Sequence, residues 1–218
     1  IKNPLTSLRS AVETMRIAKT PEMQARLLLV IEKDVRRLDR LVTDISNASR
    51  LDAELVREEM VRFNLRALIE TMADLNFSLA EERGARIIVS PGEAELYVRG
   101  LEGRLGQVLQ NLLGNALSFA GPNSTVTISA YKTGNAIRVQ VEDQGPGIPD
   151  ENLGSIFERF YSERPDHEEF GNHSGLGLSI SRQIIEAHGG TIWAENARPP
   201  DKSDTPPLGA RFIFELPA

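Results

Sequence analysis

Ile1, Leu5, Leu8, Val12 and Met15 recur at intervals of 4, 3, 4 and 3 residues, a coiled-coil-like stripe that a helix holds on one side. Thr20-Pro21-Glu22 then reads as a second helix start: Thr as N-cap, Pro at the first helical position and an acid in the first turn. Beyond it, Leu27, Ile31, Leu38, Leu41, Ile45 and Ala48 mark one face of a long helix reaching about Leu51, and the run KDVRRLDR charges the other face. Two such helices do not bury their stripes alone. The pattern therefore predicts a helical hairpin that pairs with a second copy into a four-helix bundle.

The texture changes near Val61, with Leu55–Met60 as the linker. Arg62-Phe63 reads as a short strand, and Asn64 caps a helix that ends before Gly84. Strands are expected at Arg86–Ser90 and Glu95–Val98, and a helix over Leu101–Phe119. Thr125–Lys132 and Ala136–Glu142 alternate like paired strands around Thr133-Gly134-Asn135. A Gly/Pro-rich loop follows, then a polar segment, SERPDHEEFGNHS (162–174), whose composition suits a mobile lid. Leu178–His188 is a helix stopped by Gly189-Gly190, and Thr191–Glu195 and Arg211–Leu216 are strands. Strands and helices without strict alternation predict an α+β chain, the hairpin followed by an α/β sandwich. The expected division is 1–54 hairpin, 55–60 linker and 61–218 sandwich domain.

Composition narrows the functional classes. No apolar run approaches the roughly 18 residues of a membrane span, and the start lacks the pattern of a signal peptide. Beginning without Met and inside a periodic pattern, the sequence reads as a piece of something longer. Zero Cys removes disulfides and thiolate chemistry, and a net charge of −6 argues against nucleic acid as a partner.

Four stretches can carry chemistry. In QVLQNLLGNALSFA, Asn111 and Asn115 lie four apart on one helical face, either as surface amides or as oxygen ligands for a hard cation such as Mg²⁺. In DQGPGIP, Gly145 and Gly147 permit positive φ and close backbone approach, and Asp143 ends a strand where it can accept from an exocyclic amine such as adenine's. A Gly-Pro turn with a capping Asp is the plainer reading. IFERFY is the third. In SGLGLSI, the glycines open a helix whose N-terminus can face phosphate. Glu195, 20 residues after Gly175, mimics the spacing of a dinucleotide fingerprint, but no strand precedes these glycines and Ile180 occupies the third glycine position. No GxxxxGK[ST] exists, which excludes a P-loop.

The order and spacing of these stretches resemble the N, G1, F and G2 boxes of the GHKL-type ATP-binding domain of sensor histidine kinases. The two preceding helices resemble that family's dimerisation and phosphoacceptor domain, so the resemblance spans the whole chain. The run DVRRLDRLVTDISNASRLDAEL is similar to the alphaproteobacterial ChvG/ExoS sensor kinases.

The resemblance implies ATP/ADP and Mg²⁺ as ligands. Asp143 would hold the adenine amino group, and Asn115 would ligate Mg²⁺ with Asn111 beside it. Phe157 and Phe160 would pack the lid, with Arg159 and Tyr161 as lid contacts, and Gly175 and Gly177 would face the phosphates. Phe119, Ile148, Leu176 and Leu178 complete the expected lining. Ser118 and Ser162 stand where many members carry Lys and Arg, with Arg164 a substitute for the latter.

The family's acceptor motif reads His-Glu-x-[Lys/Arg]-[Asn/Thr]-Pro-Leu, and Ile1-Lys2-Asn3-Pro4-Leu5 matches its last five positions. The histidine would sit two residues before Ile1. His167 and His173 fall in the lid, and His188 fits a structural place at a helix C-terminus. Asn3 resembles the family's water-orienting residue for dephosphorylating the partner; it also suits a helix N-cap. The expectation is a cytoplasmic piece of a homodimeric, membrane-anchored histidine kinase serving a response regulator receiver domain, unable to autophosphorylate as written. The rivals are a GHKL-type ATPase, disfavoured because Asn111 stands where those enzymes place a Glu base, and a non-enzymatic scaffold docking a response regulator.

Overall fold

The computed structural model describes residues 4–90, 92, 95–159, 161, 175–198 and 207–218. The chain divides into two compact units: Ile1–Glu54 with Phe160–Gly177, and Leu55–Arg159 with Leu178–Ala218.

In the first unit, α1 (Pro4–Met15) and α2 (Pro21–Arg57) are joined by the five residues Arg16–Thr20. Thr20 is the expected cap: its Oγ1 accepts the backbone N–H of Met23 at 3.3 Å. The second helix runs past the expected end at Leu51, through Arg57, and so absorbs half of the expected linker. No Gly or Pro lies between Arg50 and Val61, so nothing in the local chemistry stops it. Leu5, Val12, Leu28, Leu29, Val30 and Val35 leave much of their apolar surface exposed. Among the residues of α1 whose burial is described, only Ala11 is buried.

The second unit holds a five-stranded mixed sheet in the order β2-β4-β5-β7-β6. Its strands are β2 (Arg86–Val89), β4 (Thr125–Thr133), β5 (Ala136–Glu142), β6 (Thr191–Ala197) and β7 (Gly209–Pro217). The β2–β4 pair is parallel and the other pairs are antiparallel. A small antiparallel pair, β1 (Val61–Asn64) with β3 (Tyr97–Gly100), stands beside it. Strand β3 lies two residues later than the sequence predicts, because register is set by pairing with β1. The helices are α3 (Leu65–Leu75), α4 (Phe77–Glu82), α5 (Glu102–Phe119) and α6 (Gly177–Ala187). The single helix expected between Asn64 and Gly84 is broken at Asn76, whose side chain exchanges hydrogen bonds of 2.9 and 3.0 Å with the Gln110 amide. Asn64 does cap α3, accepting from Arg66 N at 3.0 Å.

Alternation on the strands sets the two layers. Val126, Ile128, Val139, Val141 and Phe214 are fully buried, as are Leu105, Leu109, Leu112, Leu113 and Leu117 of α5. Truncating any of these leucines to Ala costs about 2–5 kcal/mol. The opposite strand face carries Arg138, ion-paired to Glu215 at 2.6 Å and stacked over Trp193. Gly134 turns the β4–β5 hairpin at φ +59°.

Candidate nucleotide site

The site is built where β5 ends and α5 runs beside it. Asp143 follows β5 and is 2% exposed. Its Oδ1 accepts the N–H of Gly145 at 2.8 Å and of Ala210 at 3.1 Å. Both bonds fall on one oxygen, which leaves Oδ2 as the acceptor for an incoming donor. Burial raises the Asp143 carboxyl above its ordinary 3.8; the Ala210 and Gly145 N–H groups oppose that shift, and the Glu142 charge adds to it.

The loop after Asp143 has little room for side chains. A Cβ at Gly145 would lie 2.9 Å from the Phe119 carbonyl oxygen, at the end of α5. Gly147 has φ +79°, and its Cβ would lie 2.5 Å from Pro207 Cγ and 2.7 Å from Asn196 Oδ1. Ile148 is gripped on both sides of its peptide: its N–H donates to Asn196 Oδ1 at 2.8 Å, and its carbonyl accepts from Asn196 Nδ2 at 2.6 Å. Arg198 donates twice to Asp150, at 3.0 and 2.8 Å. This pairing and the Asn196 amide hold the Asp150 carboxyl below its ordinary value.

On α5, Asn111 and Asn115 are half-buried and one turn apart. Asn111 Nδ2 donates to Oγ of Ser181, a fully buried hydroxyl of α6, at 3.2 Å. With its amide nitrogen so engaged, Asn111 has its oxygen on the other side of the group. Ser118 Oγ turns back to the Asn115 carbonyl at 3.0 Å, the local bond Ser favours near a helix end. Among the described residues no group of three or more His, Asp or Glu side chains could hold a metal ion. A cation here would rely on amide and ligand oxygens, which is the donor set that magnesium with a phosphate ligand accepts. The buried single-acceptor Asp143 and the Gly145–Gly147 cradle likewise fit an amine-bearing ring at a closely approached backbone.

The remaining predicted residues divide as follows. Phe157 is buried, with the Arg182 guanidinium 5.1 Å from its ring centroid, and Arg159 is exposed. Tyr161 is half-buried in the first unit. Gly175 has φ +75° and Leu176 is buried, leading into α6 at Gly177, with Leu178 its second residue. Asn3, Phe160, Ser162, Arg164, His167 and His173 lie outside the described residues. Glu195 lies on β6 and accepts from Arg211 at 2.8 Å, a cross-strand ion pair. The sequence reading missed Ser181, Asn196, Arg198 and Ala210. No motif flags them, because their partners lie 46 to 70 residues away or sit on the backbone.

Residues 100–218 match the family described as histidine kinase-, DNA gyrase B- and HSP90-like ATPase, and residues 1–54 match the His Kinase A (phospho-acceptor) domain. With both domains in this order, the chain belongs to the sensor histidine kinases. Its relatives include Sensor protein ChvG of Rhizobium meliloti (strain 1021) and of Agrobacterium fabrum (strain C58), each 48% identical across 100% of this chain. The chain spans 38% and 37% of the lengths of those two proteins. Among solved structures, histidine kinase ThkA in complex with response regulator protein TrrA matches with a TM-score of 0.75 and 29% identity, covering 99% of this chain and 58% of that one. Full-length ShkA in complex with AMPPNP matches with a TM-score of 0.70 and 26% identity, covering 97% and 42%.

Proposed function

We propose that this chain binds Mg·ATP at the Asp143 loop and α5, and that it is the phosphotransfer region of a homodimeric sensor kinase that phosphorylates a histidine and then a response regulator aspartate. The observation that carries the reading is the buried Asp143, both of whose protein hydrogen bonds fall on Oδ1, at the mouth of a loop with no room for a Cβ at Gly145 or Gly147. Asp143 Oδ2 accepts the adenine amino group, and the Gly145–Ile148 backbone lies along the base. Asn115, with Asn111 beside it, holds magnesium, which when bound neutralises phosphate charge. By the family resemblance, Gly175, Leu176, Gly177 and Leu178 would face the phosphates, and Phe119, Arg159, Phe160 and Tyr161 would be contacts of the nucleotide.

An ATPase role is disfavoured, since Asn111 is an amide engaged with Ser181 and takes no proton from water. The exposed apolar residues of α1 and α2 support dimerisation through 1–54, because apolar patches of this kind mark interfaces. The complex of ThkA with TrrA supports a receiver domain as partner. In the whole protein this region would be the cytosolic part of a membrane-anchored kinase, with 61–218 as the ATP domain. Asn3 would orient water for dephosphorylating the partner.

Titration calorimetry with ADP and Mg²⁺ tests the site: saturable binding is expected, and none would overturn it. The 218 residues contain no histidine at the acceptor position, so labelled ATP should leave no acid-labile adduct. Light scattering should give a dimer; a monomer at high concentration would refute that part.

A further inference from the structure

Asn196 closes β6 and reaches across to the loop that follows β5. It makes three hydrogen bonds there, two with the backbone of Ile148 and one, from Nδ2, with Asp150 Oδ1 at 2.9 Å. The first two satisfy donor and acceptor of the same residue, so they fix the orientation of the chain at Ile148 as well as its position. Arg198, two residues on, holds Asp150 from the same strand end, its Nη2 donating to both carboxylate oxygens. Gly147 sits against Asn196 so closely that a methyl group there would overlap its Oδ1. The strand that carries Asn196 is itself registered by Arg211, which bonds Glu195 on β6 and Glu142 on β5. Asn196 and Asp143 thus descend from neighbouring positions of one cross-strand ladder: Glu142, Arg211 and Glu195 stand in line, and each site residue follows its glutamate.

We infer that Asn196 is a positioning residue for nucleotide recognition, clamping the Gly145–Ile148 backbone in the conformation that sets the base against Asp143. It touches neither base nor phosphate in this role and acts through Ile148. A loop held before the ligand arrives is one whose ordering entropy is not lost on binding, so the clamp contributes affinity and base discrimination together. Adenine offers an amine to Asp143 Oδ2 and guanine an oxygen, so discrimination depends on where the loop holds the ring relative to that carboxylate.

The inference rests on the adenine-nucleotide reading, and the experiment separates the two. ADP and GDP are titrated with Mg²⁺ into wild type, Asn196→Ala and Arg198→Ala, with thermal unfolding and amide exchange of residues 145–148 followed in parallel. Asn196→Ala is expected to weaken ADP about tenfold, narrow the ADP/GDP preference and speed exchange in the loop. Arg198→Ala, which takes the guanidinium from Asp150 and leaves Asn196 in place, should do each to a smaller degree. A merely structural role would lower the unfolding temperature and leave the ADP/GDP ratio of the folded protein unchanged; that result overturns the inference. Failure of wild type to bind ADP overturns both readings. Should Asn196→Ala not fold, Asn196→Asp replaces it: one oxygen still accepts from Ile148 N–H, while the other faces the Ile148 carbonyl and Asp150. A wild-type ADP/GDP ratio in Asn196→Asp sinks the clamp, and a reduced one supports it.

Discussion

His188 Nε2 accepts the backbone N–H of Leu101 at 2.9 Å, joining the end of α6 to the start of α5. Because Leu101 N–H can only donate, the ring proton lies on Nδ1, which donates to the Ile184 carbonyl at 2.7 Å. Leu101 opens α5 without any side-chain cap, and the imidazole serves one of the helix's early N–H groups. Gly100 makes room: a Cβ there would lie 2.7 Å from His188 Cδ2.

Replacing this ring therefore leaves a buried N–H unsatisfied and a cavity beside Gly100. His188→Ala should destabilise the second unit by about 3 kcal/mol. Urea unfolding measures it; a loss under about 0.5 kcal/mol would mean water takes over the bond.

Asp143 links stability to pH. Its carboxyl is raised by burial, so the folded state holds that proton more tightly than the unfolded chain does. The stability it contributes is complete below its ordinary value of 3.8 and is lost as pH rises through the raised folded value. Asp143→Asn carries no such loss. The variant's stability relative to wild type should climb with pH above about 3.8 and then level off, as read by urea melts. A flat difference would contradict the assignment.

The same variant should lose nucleotide. An Asn at 143 that keeps its oxygen toward Gly145 and Ala210 turns an NH₂ toward the adenine amine, donor against donor. ADP affinity should fall by about ten- to hundredfold in calorimetry while the fold is kept.

Asn115→Ala should uncouple nucleotide binding from magnesium. Wild type is expected to bind ADP more tightly with Mg²⁺ than with EDTA, and the variant equally in both. A variant that retains the full magnesium effect would move the metal to other oxygens.

Arg211 lies between Glu142 and Glu195, at 2.7 and 2.8 Å. Each pair is partly exposed, so each contributes on the order of 0.5–1 kcal/mol. Arg211→Met leaves two carboxylates flanking an apolar chain, and its cost of about 1–2 kcal/mol should shrink when Glu195→Gln is added. Additive costs in that double-mutant cycle would show that the charges do not couple.

Much of this was legible in local patterning. The alternation of Thr125–Lys132 and Ala136–Glu142 placed two strands, and Asn64 and Thr20 announced the helices they cap. Helix ends without punctuation were not legible: nothing in the residues marks Arg57 as the end of α2, and the break at Asn76 needs Gln110, 34 residues on.

The site divides the same way. The sequence by itself determined that Asp143, the two loop glycines and the α5 asparagines would stand on a strand end, a tight loop and one helix face, because periodicity and φ preference act over a few residues. Only the tertiary structure decided what holds them. Ala210 reaches Asp143 across 67 residues, Asn196 reaches Ile148 across 48, Ser181 reaches Asn111 across 70 and His188 reaches Leu101 across 87. Those contacts exist because β5, β6 and β7 pair in one register and α6 returns beside α5, and register is a property of the assembled sheet that no single segment carries.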